Sequence, residues 1–407
     1  MLDVIIIGAG PAGNLAALDI AKAGFSVKVY DWRTKIGDKL CTGIIGQSCF
    51  KEFPPSEHEV YRSTSSANIV SPLGKTYLVD HNNPQAYVIN RISYVKSFAE
   101  KAIKAGASYR LNEKVISLNI TDREVTITSE TDGRNHTDIC KAVIIATGFG
   151  SPLLKMAGLG NGGVKSFLTG CQTTVYTEEL SRPAVFLGSQ IGRGSFGWLV
   201  PTQNNQALLG LATSRKLNGH MDNLTKMLKT KGYFKETEGP QQKWGIPVNP
   251  STPTYNNRAL SVGDAAGLTK PTTGGGIYYS LLSGKLAAQT LIQALNQDDL
   301  SSKQLKPYES EWKHLLSNEI NLGNFARRIF ESLRDSQIEF LISKLRDTKN
   351  NSDFFVSSVI NMSGFFSTGS STSRFPSLKF FSSCCSLSFC NSSLCFSSSS
   401  LIFSKSL

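Results

Sequence analysis

A β-branched run at residues 4–7, a small-residue helical pattern at 14–23 and a second apolar run at 26–30 predict a β-α-β unit at the head of the chain. Helical spacing at 92–105 puts Phe98, Ala99 and Ala102 on one face. Alternating positions predict strands at 114–120 and 124–128, and the unbroken apolar run at 142–146 predicts a fully buried one. Residues 61–90 and 164–213 read mainly as strands separated by Gly, Pro and Asn turns. They predict an antiparallel sheet inserted between pieces of an α/β domain. A second strand-turn-helix unit is expected at 259–295, and charged amphipathic helices at 301–349. No internal repeat is apparent.

The pattern stops near residue 350. From 351 to 407 the chain holds 21 Ser, 10 Phe and 4 Cys but only four charged residues, without helical or alternating period. It lacks the charge that keeps unfolded tails in solution. We read 351–407 as a low-complexity tail, either disordered or the aberrant product of a misjoined reading frame, with a lipid-associated tail as the rival. Sequencing the coding region separates these.

With 407 residues, 40% of them hydrophobic, the chain can bury more than one core, which excludes disorder throughout. The formal charge of +12 favours anionic partners. Only Arg374, Lys379 and Lys405 among the basic residues lie in the tail, so the surplus belongs to the body. No basic stripe with interleaved aromatics points to nucleic acid. No window reaches the ~18 consecutive apolar residues of a spanning helix, and Asp3 stands where a signal peptide carries basic charge. The expected location is the cytoplasm, with any membrane contact peripheral, on the inner face of the cell membrane. Neither the eight cysteines nor the five histidines have metal-ligand spacing, and the cysteines form no disulfide framework.

The chemistry starts at Gly8-Ala9-Gly10-Pro11-Ala12-Gly13, a GxGxxG placed after the first strand and opening the helix. Glycines there let the backbone approach a pyrophosphate, whose charge is met by free N–H groups at the helix N-terminus. Asp31, ending the second strand, is placed to accept hydrogen bonds from a ribose hydroxyl. The motif alone does not choose between a nicotinamide and a flavin. A second glycine-rich segment, GDAAGLTKPTTGGGIYYSLLSG at 263–284, makes the choice. Its Gly263-Asp264 pair is placed to bind a ribityl chain. Gly274, Gly275 and Gly276 bring backbone amides against a ring at the start of a helix whose positive end suits an anionic reduced flavin.

The wording of that segment, with CTGIIG at 41–46 and Phe196-Gly197-Trp198-Leu199-Val200-Pro201, resembles the geranylgeranyl reductase family over about residues 1–360. The resemblance implies an α/β fold of hydroxylase-like type: a glutathione-reductase-type FAD-binding Rossmann domain with an inserted antiparallel β-sheet substrate domain and C-terminal helices. It implies FAD binding by 1–59, 92–155 and 255–300, prenyl binding by 60–91 and 156–254, and a helical segment at 301–350. It further implies that Gly8, Gly10, Ala12, Gly13 and Asp31 hold the ADP half of FAD. Arg91 matches the family's arginine before the first long helix, Gly263 and Asp264 the ribityl contact, and Pro271 with Gly274, Gly275 and Gly276 the ring loop. Phe196, Trp198 and Pro201 match the aromatic motif that lines the prenyl pocket, and Cys41 the cysteine near the active site. Two positions depart from the pattern: Val95 replaces a usual Asp, and Ala146-Thr147-Gly148 replaces Ala-Asp-Gly.

The implied reaction saturates isolated double bonds of geranylgeranyl chains in an isoprenoid lipid, by hydride transfer from reduced flavin N5 and protonation of the other carbon. Cys41 is the candidate proton donor; a buried small hydrophobe is the plain alternative. The external electron donor is left open among ferredoxin, a reduced quinone and NAD(P)H. The lack of a separate nicotinamide-binding motif favours a donor protein. A flavin monooxygenase of the hydroxylase type and an electron-transfer flavoprotein are the other readings. Thr147 argues against the first, and the lack of iron–sulfur spacing against the second. Arg327-Arg328 is read as a solvated helix face.

Overall fold

The computed structural model describes residues 1–160, 166–178 and 180–346, so the tail reading for 351–407 lies outside the described residues. The chain opens with β1 (Leu2–Ile7), α1 (Pro11–Lys22) and β2 (Val27–Asp31). Val4 and Ile6 of β1 pack toward the helices, while Ile5 and Ile7 pack on the opposite side with Val115, Ile127 and Leu153. A strand buried on both faces must be a continuous apolar run, as this one is. Pro11 suits the first turn of α1, where its missing N–H costs nothing.

Next come β3 (Ile44–Gly46), α2 (Gln47–Glu52), β4 (Val60–Thr64), β5 (Ser66–Val70), β6 (Thr76–Asp80) and β7 (Ala86–Ile89). α3 (Arg91–Lys104) is capped by Asn90, whose side chain accepts from Ser93 N, and it buries Tyr94, Val95, Phe98, Ala99 and Ala102. The buried Asn14 amide ties α1 to α3 by donating to Ala9 O and Val95 O. β8 (Ser108–Leu111), β9 (Lys114–Ile120), β10 (Val125–Thr131), β11 (Arg134–Ile145) and the short α4 (Leu153–Met156) follow. Then come β12 (Phe167–Tyr176), β13 (Ala184–Leu187), β14 (Phe196–Pro201), β15 (Gln206–Thr213), α5 (His220–Thr230) and β16 (Glu236–Pro247). The described chain closes with β17 (Tyr255–Asn256), β18 (Ala259–Ser261), α6 (Ile277–Asn296), α7 (Ser302–Ser332) and α8 (Asp335–Arg346).

Among the described residues these strands make three sheets. The main one runs β17-β18-β11-β1-β2-β8, with β9 and β10 attached through β11, and its central pairs are parallel. A second runs β16-β12-β15-β14-β13-β5-β6 and is antiparallel except where β13 meets β5. A third joins β3, β7 and β4. Helices α1, α3 and α6 cover one face of the main sheet, and α1 lies so close to α6 that a Cβ on Gly284 would stand 2.3 Å from Ala12 O.

α7 buries Leu305, Tyr308, Glu309, Trp312, Leu316, Ile320 and Gly323 along one stripe. Glu309 accepts from Thr254 N at 2.7 Å, from its Oγ1 at 3.0 Å and from Lys313 Nζ at 2.6 Å. Burial alone favours the protonated acid, but these donors outweigh it and hold the Glu309 carboxyl below its ordinary range. The ionised carboxylate therefore adds stability above the unfolded pKa, and that contribution is lost as pH falls through the lower folded value. Glu309→Gln is expected to flatten the acid limb of the stability curve below about pH 5, read by denaturant titration. An unaltered acid limb would show that Glu309 is not a source of it.

Candidate active site

The C-terminal ends of β1, β11 and β18 lead into three neighbouring turns, at 8–13, 146–148 and 263–267. Gly8 has a φ of +117°, and a Cβ on it would stand 2.2 Å from Ala146 O; on Gly13 a Cβ would stand 2.0 Å from Gly8 O. Backbone fills the place of a side chain at both. Gly10 differs, since a Cβ there would have nothing within 4 Å. Its bareness leaves open space before the N-terminus of α1, which no side chain caps. Free N–H groups of the first turn face that space, a setting suited to a diphosphate. Ala12 is buried in the same turn.

Asp31 ends β2 almost fully buried, with Oδ2 accepting from Ala9 N and Oδ1 from Arg33 N, both at 2.8 Å. Its remaining lone pairs can take a ribose hydroxyl. Beside Gly8, the Thr147 hydroxyl is buried with no partner among the described residues. An open cradle, an uncapped helix end and an unfilled hydroxyl fit the ADP half of FAD.

Gly263 and Asp264 open a 3-10 turn after β18. Gly276 stands directly against the acid, since a Cβ there would lie 2.9 Å from Asp264 Oδ1. The turn 270–276 is closed by Gly274 N donating to Lys270 O at 2.8 Å and Lys270 N donating to Gly275 O at 3.0 Å. α6 starts immediately afterwards without a side-chain cap. Gly275 is exposed at the apex and Pro271 is buried at the base. Exposed backbone at the positive end of a helix suits an electron-rich ring.

α7 fixes the base of this turn through residues four apart. Glu319 pairs with Lys270 Nζ at 3.6 Å; Gly323 lies against Pro271; Arg327 donates to Pro271 O at 3.0 Å. Burial pushes the Lys270 ammonium down and the Glu319 carboxyl up. The expected solvated face at Arg327-Arg328 is thus half corrected: Arg328 is exposed, while the Arg327 side chain is 10% exposed and spent on the turn and Glu331. Only the three-dimensional meeting of α7 with residues 270–271 reveals this.

Arg91 is buried, and its Nη1 donates to Gly37 O at 2.6 Å and Lys39 O at 2.5 Å. It anchors the loop that leads to Cys41. Cys41 is partly exposed, unlike Cys49, whose thiol burial pushes up to about 12. Thr42, next to Cys41, donates to Gln172 Oε1 at 2.9 Å and so ties this loop to β12.

Gln172 belongs to the face of the second sheet that carries the aromatic residues. Register aligns Trp244, Gly170, Ala212 and Phe196 across four strands, and in the adjacent row Gln242, Gln172, Gly210 and Trp198. A Cβ on Gly170 would lie 2.7 Å from the Trp244 ring, and one on Gly210 2.2 Å from the Trp198 ring. Both indoles therefore pack against bare backbone, edge to face with their centroids 6.3 Å apart, and Phe196 lies 5.8 Å from Trp198. Glycine and alanine form the floor and indoles the walls. The Trp198 N–H is buried and has no acceptor among the described residues. Trp244 was missed by sequence reasoning because it stands outside any motif, visible only as one of four tryptophans.

Pro201 needs correction. Side chains alternate along β14, so Pro201 falls on the side of Gly197 and Leu199, which pack on α5, and not on the face of Phe196 and Trp198. The face reaches the cofactor turn through Ile246, whose Cδ1 would lie 3.1 Å from a Cβ on Gly274.

Residues 2–191 match the family model described as pyridine nucleotide-disulphide oxidoreductase. Digeranylgeranylglycerophospholipid reductase 1 of Methanococcoides burtonii is 28% identical, over 85% of this chain and 88% of the relative. The digeranylgeranylglycerophospholipid reductase of Methanocaldococcus jannaschii is also 28% identical, over 88% of this chain and 94% of the relative. In fold, the chain superposes on a geranylgeranyl bacteriochlorophyll reductase-like protein from Thermoplasma acidophilum with a TM-score of 0.78. The two are 22% identical, and the match covers 88% of this chain and 99% of that one. With both glycine-rich turns, the uncapped helix ends and these similarities in agreement, the chain is an FAD-dependent oxidoreductase similar to the geranylgeranyl reductases.

Proposed function

We propose that the protein saturates isolated double bonds of geranylgeranyl chains in an isoprenoid glycerophospholipid. The observation that carries this reading is the junction at Ile246, where the turn suited to a flavin ring abuts an apolar face walled by Trp198 and Trp244. Residues 1–59, 92–155 and 255–300 form the cofactor domain in this proposal, and 60–91 with 156–254 the prenyl-binding domain. Among the described residues no helix is long and apolar enough to cross a membrane. The basic surplus holds the enzyme peripherally at an anionic lipid surface. Electrons come from a donor protein.

The reduced cofactor, when bound, supplies a hydride. Gly8, Gly10, Gly13 and Asp31 hold its nucleotide half, Asp264 its polyol, and Gly274 to Gly276 its ring. Phe196, Trp198 and Trp244 hold the prenyl chain, keep water away from the reacting bond and offer π-faces to developing positive charge. Cys41, whose neighbour Thr42 is bonded to Gln172 on that face, delivers the proton to the second alkene carbon.

Anaerobic reduced enzyme is expected to return to the oxidised flavin spectrum on addition of a geranylgeranyl glycerophospholipid and not of its saturated counterpart. No reoxidation by either would overturn the proposal, and oxygen consumption with an oxygen-inserted product would mark a monooxygenase. Cys41→Ser is expected to keep the flavin and slow lipid-driven reoxidation by about 100-fold, in the range of a lost general acid. Unchanged turnover would remove Cys41 from the mechanism.

A further inference from the structure

Lys39 is a lysine that no motif includes, in the loop between β2 and β3. Its backbone is fixed, because buried Arg91 donates to its carbonyl and to that of Gly37. Its side chain extends to Asp264, with Nζ 2.5 Å from Oδ2, and comes within 3.8 Å of where a Cβ on Gly148 would stand. The ammonium thus sits between the 146–148 turn, which packs on Gly8, and the acid of the second glycine segment. Asp264 also lies close to Gly276, where a Cβ would stand 2.9 Å from Oδ1.

Lys39 takes Asp264 Oδ2 and Oδ1 lies against Gly276, so while the pair holds the carboxylate has few open lone pairs left for a polyol. An ammonium beside the 146–148 turn, which packs on Gly8 at the start of the glycine loop, is also a natural countercharge for a dianionic diphosphate bound at that loop. We infer that Lys39 is an exchange residue of the FAD site, paired with Asp264 before the cofactor arrives and with the cofactor's diphosphate afterwards, so that diphosphate recognition uncovers Asp264 for the ribityl hydroxyls. The inference rests on the FAD assignment and extends it. Lys39 selects flavin dinucleotide over flavins without a diphosphate, because riboflavin must break the Lys39–Asp264 pair with nothing to offer Lys39.

The test compares FAD and riboflavin binding to the flavin-free protein by fluorescence quenching, for the unsubstituted protein, Lys39→Met and Lys39→Arg. Lys39→Met is expected to weaken FAD about tenfold and to lessen the salt dependence of FAD binding, through loss of one charged contact. The same substitution leaves riboflavin binding unchanged or tighter, since Asp264 is freed. Lys39→Arg retains the preference for FAD. Equal weakening of both flavins would make Lys39 a structural tether and overturn the inference, as would unaltered FAD affinity. Failure of the unsubstituted protein to bind any flavin would overturn the FAD assignment itself, a result distinct from either.

Discussion

Replacing Gly10 by valine is expected to leave the protein folded and strip it of flavin. A Cβ at Gly10 meets no protein atom within 4 Å, and its backbone, at φ −81° and ψ −176°, is ordinary extended chain. The fold therefore loses no more than about 1 kcal/mol, the cost of a poor helix N-cap. The isopropyl group instead occupies the space before the α1 N-terminus, keeping a diphosphate from the N–H groups there. Charge-assisted hydrogen bonds of this kind contribute about 1.5–3 kcal/mol each, so FAD affinity should fall by about 100-fold, or ~2.8 kcal/mol. Gly8→Val supplies the contrast: its Cβ collides with Ala146 O at 2.2 Å, so the fold itself suffers. Thermal denaturation and flavin titration of the two variants check this. A Gly10→Val protein that purifies yellow with undiminished affinity would show that the diphosphate does not lie there.

Gly210→Val is expected to do the reverse, keeping the flavin and disabling the substrate face. The added Cβ would stand 2.2 Å from Trp198 Cζ2, with Cε2 and Nε1 at 2.3 and 2.7 Å, so the indole must leave its slot. Overpacking of this kind costs about 1–3 kcal/mol of stability. The wall between Phe196 and Trp244 moves with the ring, and lipid-driven reoxidation should fall at least ~10-fold through lost orientation of the chain. Reoxidation by dissolved oxygen needs no prenyl chain and should be unchanged. If lipid and oxygen reoxidation fall together, the substitution has disturbed the cofactor and the aromatic face is not the prenyl site.

What the sequence made legible was local. Gly8 to Gly13 lie within one strand-turn-helix, and strand, turn and acid signals agreed there. The same holds for the segment that begins at Gly263. The residues it hid act across long separations. Lys39 meets Asp264 225 residues away, and Arg327 meets Pro271 from a helix whose charge pattern alone suggested solvent. Trp244 lies over Gly170 only through the register of β12 with β16, which no local pattern fixes. Pro201 was misplaced because a linear motif does not say which of its residues share a face. Strand alternation separates it from Trp198.

With reduced FAD bound, the protein is expected to saturate isolated prenyl double bonds, each gaining a hydride at one carbon and a proton at the other. The most direct measurement incubates the flavin-loaded full-length protein, reduced anaerobically, with geranylgeranyl lipids and weighs the lipids by mass spectrometry. Species heavier by about two mass units per reduced bond, absent with Gly10→Val, are the predicted result. An unchanged lipid pool beside a product that has gained oxygen in air would contradict it.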